Sequence, residues 1–391
     1  MIKFEEAISI ISQFKEPLGK EYISFNTCLG RVLAEDILSD MDMPPFDKSA
    51  MDGFACRSKD LLRHLTIVDT IAAGTTPKKV IGEGECARIM TGAPLPQGAD
   101  CVIMVEHTEA VTEKMIRFTG STTKPNICYL GEDIRSGDTV LSSGTLLKPQ
   151  HIAIMASVGA TQPTVYKQPR VAILPTGDEL VEPDKKPSNA MIRNTNGHQL
   201  IAQLMEMQLN PTYYGIVADD EETTRQAITK ALNNQDVVIL TGGVSMGQLD
   251  FVPQMIVSCG VDIHFQTIAI QPGKPTLFGS TKDNKYVFGL PGNPVSSFFQ
   301  FELLVKPLLY QLMGHNFSPS SIKMPIATDY TRKKSTCKTI IPVSIENGQL
   351  IPVTYHGSAH LHALGNTHGI IAVEPGINTI KKGTIIDVRL I

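Results

Sequence analysis

The sequence predicts a multidomain α/β plus β protein built around a three-layer, doubly wound α/β domain at residues 169–314. Three glycine-punctuated segments carry that prediction: Thr176-Gly177-Asp178-Glu179, Thr241-Gly242-Gly243-Val244-Ser245-Met246-Gly247 and Gly289-Leu290-Pro291-Gly292-Asn293-Pro294-Val295-Ser296. Each follows a short run of branched or aromatic residues, at 171–174, 237–240 and 286–288, as the turns after buried parallel strands do. Helical patterns separate the runs. One starts near Gly197 and repeats Leu200, Ile201, Leu204 and Met205; the next starts near Asp220 and repeats Ala227, Ile228, Ala231 and Leu232. Asp220, Glu221 and Glu222 suit the positive start of that helix, and Lys230 suits its end. Such alternation returns the chain to one sheet edge, and ligands bind there, at the carboxyl ends of the strands.

Outside this centre the texture changes. Residues 41–140 are rich in Gly, Pro and short apolar runs such as 101–105, which predicts an inserted, mostly β domain. From 315 to 391, runs at 322–326, 339–344 and 384–390, with a turn signal at Glu346-Asn347-Gly348, predict a second β domain. Ile2, Ala7, Ile8, Ile11 and Phe14 form an irregular helical stripe, which is assigned with residues 1–40 to the same unit as 141–168. A chain of 391 residues exceeds one ordinary core. Its 35 basic and 39 acidic residues leave a net charge of −4, which gives no reason to expect a nucleic-acid partner. No segment is apolar enough to span a membrane. The start, Met1-Ile2-Lys3-Phe4-Glu5-Glu6, lacks the apolar core of a signal peptide. The seven cysteines are scattered without a Cys-x-x-Cys pair and read as thiols of a reducing cytoplasm.

Taken one at a time, the polar residues are ambiguous. The turn holding Gly242, Gly243, Ser245 and Gly247 offers backbone amides to an anion, yet it is neither a Walker A loop nor a dinucleotide fingerprint; a phosphate loop and a plain tight turn weigh equally. Asp250 suits a Mg²⁺ ligand or a helix cap, with the cap preferred. Asp178 and Glu179, just past a strand, suit cation ligands or solvated turn acids, with the turn preferred. Lys274, in Gln271-Pro272-Gly273-Lys274-Pro275, is a fixed point charge or a surface lysine, the latter being the safer reading; for Asp52, site acid and turn acid are evenly matched. His356, His360, His362 and His368 lack interleaved Cys or acidic ligands, so packed or solvated histidines are preferred to a metal site.

Together and in order, these segments resemble the MoeA family, the molybdopterin molybdenumtransferases that include the E domain of gephyrin. The resemblance is carried by Pro44-Pro45-Phe46-Asp47-Lys48-Ser49-Ala50-Met51-Asp52-Gly53-Phe54-Ala55, Arg88-Ile89-Met90-Thr91-Gly92-Ala93-Pro94, Gly131-Glu132-Asp133, Pro272-Gly273-Lys274-Pro275 and the three glycine segments, and it spans nearly the whole chain. It implies an elongated linker and dimerisation domain from 1–40 and 141–168, an inserted mostly-β domain at 41–140, a MogA-like molybdopterin-binding domain at 169–314 and a C-terminal β barrel at 315–391. It further implies a cytoplasmic homodimer with a shared active site, taking adenylylated molybdopterin and molybdate, hydrolysing the adenylate with Mg²⁺ and releasing AMP. A MogA-like adenylyltransferase and molybdopterin synthase are the implied protein partners.

Carried onto this chain, Asp52, Thr91 and Asp133 would line the partner side of the site, and Glu179, Asp219, Asp250, Lys274, Ser296 and Ser358 the α/β and barrel side. Glu179 and Asp250 would hold Mg²⁺ and, with Asp52 and Lys274, form the catalytic set. Thr176, Gly177, Gly242, Gly243, Ser245, Gly247, Pro291, Gly292 and Asn293 would bind the cofactor precursor. Asp219 is chosen over Asp220, which is better placed as a helix cap. The chain also departs from the family: Gln271 stands where many members have Lys, Cys128, Tyr129 and Leu130 where paired arginines are common, and Val343 near an expected arginine. Losing cations weakens dianion binding, and His360 or His362 would compensate near Ser358. Two alternatives stay open on the residues alone: a pyrophosphate or phosphoester hydrolase acting on a related pterin or nucleotide, and a non-catalytic scaffold.

Overall fold

The computed structural model describes residues 1–244, 251–332, 335–353, 357 and 360–391. The three apolar runs form Val171–Pro175, Val237–Thr241 and Tyr286–Leu290, neighbouring parallel strands in a six-stranded sheet. Their side chains alternate between two cores. Ile173, Ile239 and Phe288 join Leu200 and Leu204 of the helix Thr195–Glu206, while Leu174, Leu240 and Val287 join Ile228 and Leu232 of the helix Glu221–Asn234. With both faces covered, no position on these strands needs to be polar, which is why they read as continuous apolar runs. Thr212–Tyr213 extends the sheet in parallel on one side. On the other, Leu277–Ser280 and Asp262–Phe265 add antiparallel strands, so the sheet is mixed. Asp220 caps the helix Glu221–Asn234, its carboxylate accepting from the Thr223 amide at 2.7 Å.

Residues 53–118 hold a second six-stranded sheet in the order Cys101–Met104, Gly53–Cys56, Glu85–Ile89, His64–Ile71, Met115–Phe118 and Thr108–Thr112. Beyond the α/β helices, Lys338–Glu346 pairs with Gly369–Val373, which pairs with Ile385–Leu390, and that with Ser321–Pro325. Asn347 and Gly348 take the positive φ angles of a tight hairpin leading into Gln349–Pro352. A bridge between Ile326 and Leu350 ties the outer strand back to that hairpin. This sheet also takes in Ile270–Gln271, a strand from the α/β region, pairing it in parallel with Lys338–Glu346.

The N-terminal region divides differently from expectation. Lys20–Tyr22 pairs with Thr164–Tyr166 and Ile37–Leu38 with Thr139–Leu141, over a core of Cys28, Leu33, Leu147 and Met155. The opening helix, Phe4–Ile11, does not join that core. Its buried Ala7 and Ile11 enter the α/β core, and Phe14 packs edge-on against Phe278 and Tyr286. The apolar stripe finds its complement on the antiparallel side of the main sheet, and an Ile2–Ile268 bridge holds the chain start there. All seven cysteines are free thiols. Among the described residues no helix is long and apolar enough to cross a membrane.

Gly53 follows Asp52 and begins a strand with neighbours on both sides. A β-carbon there would be driven into the carbonyl of Ile103. Gly53→Ala is expected to destabilise the protein by about 1–3 kcal/mol, read as a lowered midpoint in denaturant titration.

Candidate active site

The turns after the central strands converge because parallel strands put their carboxyl ends on one edge. In the first turn Thr176 donates its amide to Thr241 O at 2.9 Å, and Gly177 adopts φ +148°. A β-carbon on Gly177 would lie 2.5 Å from Glu179 Oε2, so the glycine leaves room for that carboxylate. Gly242, at φ +101°, begins the second turn so close to Thr176 O that a side chain would collide. Its amide donates to Leu290 O at 3.2 Å, which binds the second turn to the third. The third turn, Pro291-Gly292-Asn293, leads into the helix Pro294–Gln300.

These turns open on a cavity of about 1040 Å³. Thr176, Glu179, Gly242, Gly292 and Asn293 line it. Leu180, Met191, Ile192 and Leu361 give it an apolar wall, and Asn196, Arg193, His360 and His362 add polar groups. A second depression of about 400 Å³ shares Asn293 in its lining and is otherwise lined by Gln271, Lys274, Pro291, Ser296, Cys337 and Gly357 among others. Lys274 is held there because Ile268 donates its amide to Lys274 O at 3.0 Å and Gln300 Nε2 donates to Pro272 O at 3.1 Å.

Asp219, Gly243, Asp52, Thr91 and Asp133 line neither of these depressions. Asp219 and Asp178 are reciprocal partners: the Asp219 amide donates to Asp178 Oδ1 at 3.0 Å, and the Asp178 amide to Asp219 Oδ2 at 3.4 Å. Asp178 therefore fixes a loop, while Glu179 faces the cavity. Gly243 does not line either depression; a side chain there would press on Val252, so its smallness serves packing. Asp52 and Thr91 come together on the inserted sheet, where Asp52 Oδ1 accepts from the Thr91 amide at 2.7 Å and its hydroxyl at 3.0 Å. Asp133 lines a separate depression of about 610 Å³ with Pro44, Lys48 and Cys128. Ser245, Gly247, Asp250 and Ser358, with His356, lie outside the described residues. No cluster of three or more metal-binding side chains occurs among the described residues.

Two family models match this chain. The MoeA N-terminal region (domain I and II) covers residues 2–159, and a probable molybdopterin binding domain covers 172–311. Molybdopterin molybdenumtransferases of Staphylococcus aureus and Staphylococcus epidermidis are 32% and 34% identical, over all of this chain and 95% of theirs. The chain belongs to the molybdopterin molybdenumtransferase family. It is a transferase of molybdenum cofactor biosynthesis. The structure of the MoeA protein from Pyrococcus horikoshii OT3 superposes with TM-score 0.86 at 28% identity, covering both chains in full. A second structure from that species gives 0.81 at 31% identity, covering all of this chain and 99% of the other.

Within this molybdopterin molybdenumtransferase, the departures have distinct consequences. Gln271 and Cys128 do stand on depression walls, so uncharged side chains occupy those positions. Val343 does not: it is fully buried with Ile341, Leu350 and Ile371 and stands in for no site cation. His360 and His362 reach the cavity from the C-terminal region, at the short 3₁₀ helix Leu361–Asn366. The sequence motifs do not single out Asn196, Met191, Ile192 or Arg193, and they place Thr241 only at the start of a glycine segment. Only the run Asn194-Thr195-Asn196-Gly197 signalled anything: Asn194 is the helix cap, with Oδ1 accepting from Gly197 N at 3.0 Å.

Hydrogen bonds from Thr91, its amide first and then its hydroxyl, hold the Asp52 pKa below the ordinary carboxylate value. Because the folded value is the lower one, any stability from charged Asp52 is present above the unfolded pKa and is lost as pH falls through the folded value. Thr91→Val keeps the amide and deletes the hydroxyl, so the Asp52 titration should move upward without reaching the ordinary value. Carbon-13 NMR of the Asp52 carboxyl checks this, and an unmoved or lowered titration contradicts it.

Proposed function

We propose that this transferase binds adenylylated molybdopterin in the larger cavity and molybdate in the smaller depression, hydrolyses the adenylate and leaves molybdenum on the dithiolene. The observation that carries the reading is that Asn293 lines both: a large, partly apolar cavity edged by glycine turns and Glu179, and a small one holding Lys274 and Ser296. A planar heterocycle suits the wall of Leu180, Met191 and Leu361, while phosphates suit the turn backbone. A tetrahedral dianion suits a fixed ammonium and a hydroxyl.

Water attacks the adenylyl phosphorus, a P–O bond to it forms, the bond to the bridging oxygen breaks, and AMP leaves with its proton lost to solvent; at the dithiolene two Mo–S bonds form as one molybdate oxygen leaves as water with the two thiol protons. Glu179, which lines the cavity, and Asp250, which lies outside the described residues, would hold Mg²⁺, as carboxylate oxygens suit that hard ion. The ion, when bound, neutralises charge on the leaving phosphate. Glu179 contributes by presenting its carboxylate over Gly177 toward the cavity.

The reading includes a cytoplasmic homodimer, with a C-terminal barrel over each cavity and Asp52, Thr91 and Asp133 supplied by the partner's inserted domain. In support, Phe46, Met51, Met90 and Leu130, close in sequence to those residues, are exposed apolar side chains that association would cover.

AMP release from adenylylated molybdopterin with Mg²⁺, with and without molybdate, tests the reaction. Molybdate-dependent release that falls by roughly a hundredfold or more in Glu179→Gln and Asp250→Asn supports it; release indifferent to molybdate makes the protein a hydrolase. Mixing inactive Asp52→Ala and Glu179→Ala chains should restore about a quarter of wild-type activity, since half the dimers are mixed and each holds one intact site. No restoration would place all residues in one protomer's site. Changing both His360 and His362 to Ala should raise the KM for molybdate about tenfold if their charge compensates for Gln271, and an unaltered KM removes that role.

A further inference from the structure

We propose that Asn196 is a positioning residue for the transferase reaction, acting with Thr241 as a hydrogen-bonded clasp that fixes the spacing of the two turns facing the ligand; this rests on the reading of the larger cavity above. Asn196 stands in the first turn of the helix Thr195–Glu206 and is 8% exposed. Its Nδ2 donates in two directions, to Thr241 Oγ1 at 2.8 Å and to Gly292 O at 2.9 Å. The Thr241 hydroxyl, having accepted that bond, donates onward to Pro291 O at 3.2 Å. One carboxamide thus spans the turn after Val237–Thr241 and the turn after Tyr286–Leu290. The turns are already close: a β-carbon on Gly292 would lie 3.7 Å from Gly242 Cα.

Both amide hydrogens are spent on these turns, and the chain from amide to hydroxyl to carbonyl runs in one direction, so each bond polarises the next. The helix has no need of Asn196 as a cap, because Asn194 performs that duty. The clasp has every donor hydrogen engaged within the protein. It sets where Gly242 and Gly292 present backbone to the cavity, and preorganised backbone loses its effect when displaced by about 1 Å.

The test uses the purified full chain and four variants: Asn196→Ala, Thr241→Val, the double variant and Thr241→Ser. Each is followed by AMP binding in calorimetry, AMP-release kinetics and thermal melting. Asn196→Ala and Thr241→Val are each expected to lower kcat/KM by roughly 10–100-fold and to weaken AMP binding by about fivefold or more. The double variant should be no worse than the poorer single one, as members of one network are not additive. Thr241→Ser keeps the hydroxyl and should lose less than about threefold. Variants that melt earlier yet keep AMP affinity and kcat/KM within about twofold of wild type overturn the clasp and leave a purely structural amide. If Asn196→Ala fails to fold, Thr241→Val decides alone. Amide exchange at Gly242 separates the two readings: exchange accelerated in Asn196→Ala, with a wild type that neither binds nor releases AMP, sinks the substrate assignment but upholds the clasp.

Discussion

Everything in the site depends on the burial of Val171–Pro175, Val237–Thr241 and Tyr286–Leu290 on both faces. Strands without a solvent face have no room for reactive side chains along their length, so polar function is pushed to their ends. Because the three strands are parallel, those ends share one edge, and the chain must turn there within a few residues of its neighbours. Close approach then selects glycine: at Gly242 a side chain would meet Thr176 O, and at Gly177 it would meet the Glu179 carboxylate. The glycine segments are thus consequences of sheet burial before they are ligand motifs.

The smaller depression follows from a different constraint. Ile270–Gln271 leaves the α/β region to pair with Lys338–Glu346, so the turn holding Lys274 is anchored by the C-terminal sheet on one side and by Gln300 on the other. Lys338, at the start of that C-terminal strand, pairs with Glu5 of the opening helix and with Glu374, 2.9 Å away, and stacks over Phe4. Burial alone would lower the Lys338 pKa, but hydrogen bonds to Glu5 and Glu374 raise it above the ordinary value, so the ammonium stays charged at the junction. The opening helix therefore braces the seam where two sheets meet, which explains why its apolar stripe is not spent on the segment 141–168.

What the sequence revealed and what it hid divide along this line. The central strands, their turns, the Asp220 cap and the Asn347-Gly348 hairpin follow from patterns local in the chain, and each stands where such patterns put it. The acceptors of the Asn196 amide hydrogens lie 45 and 96 residues away, and nothing in its neighbourhood marks a residue that reaches both. His360 and His362 reach the cavity only because the C-terminal region folds back over the α/β edge, a placement that no periodicity encodes. Val343 shows the converse: a loosely aligned position can be matched in sequence to a site residue while its side chain is committed to the core.

Charge supplies the last link between architecture and chemistry. Of the permanently charged side chains around the two depressions, Arg193 has its Nε committed to the carbonyls of Pro183 and Lys185, at 3.1 and 3.2 Å, and Lys274 stands in the smaller one. Glu179 adds a negative charge to the larger cavity. With so few fixed cations among the described residues, the pocket would hold an anion mainly through oriented backbone dipoles, whose strength depends on position and not on charge count. Affinity in such a site is set by how rigidly the turns are held, which gives a reason for a buried carboxamide and hydroxyl to be invested in joining them instead of in contacting the ligand.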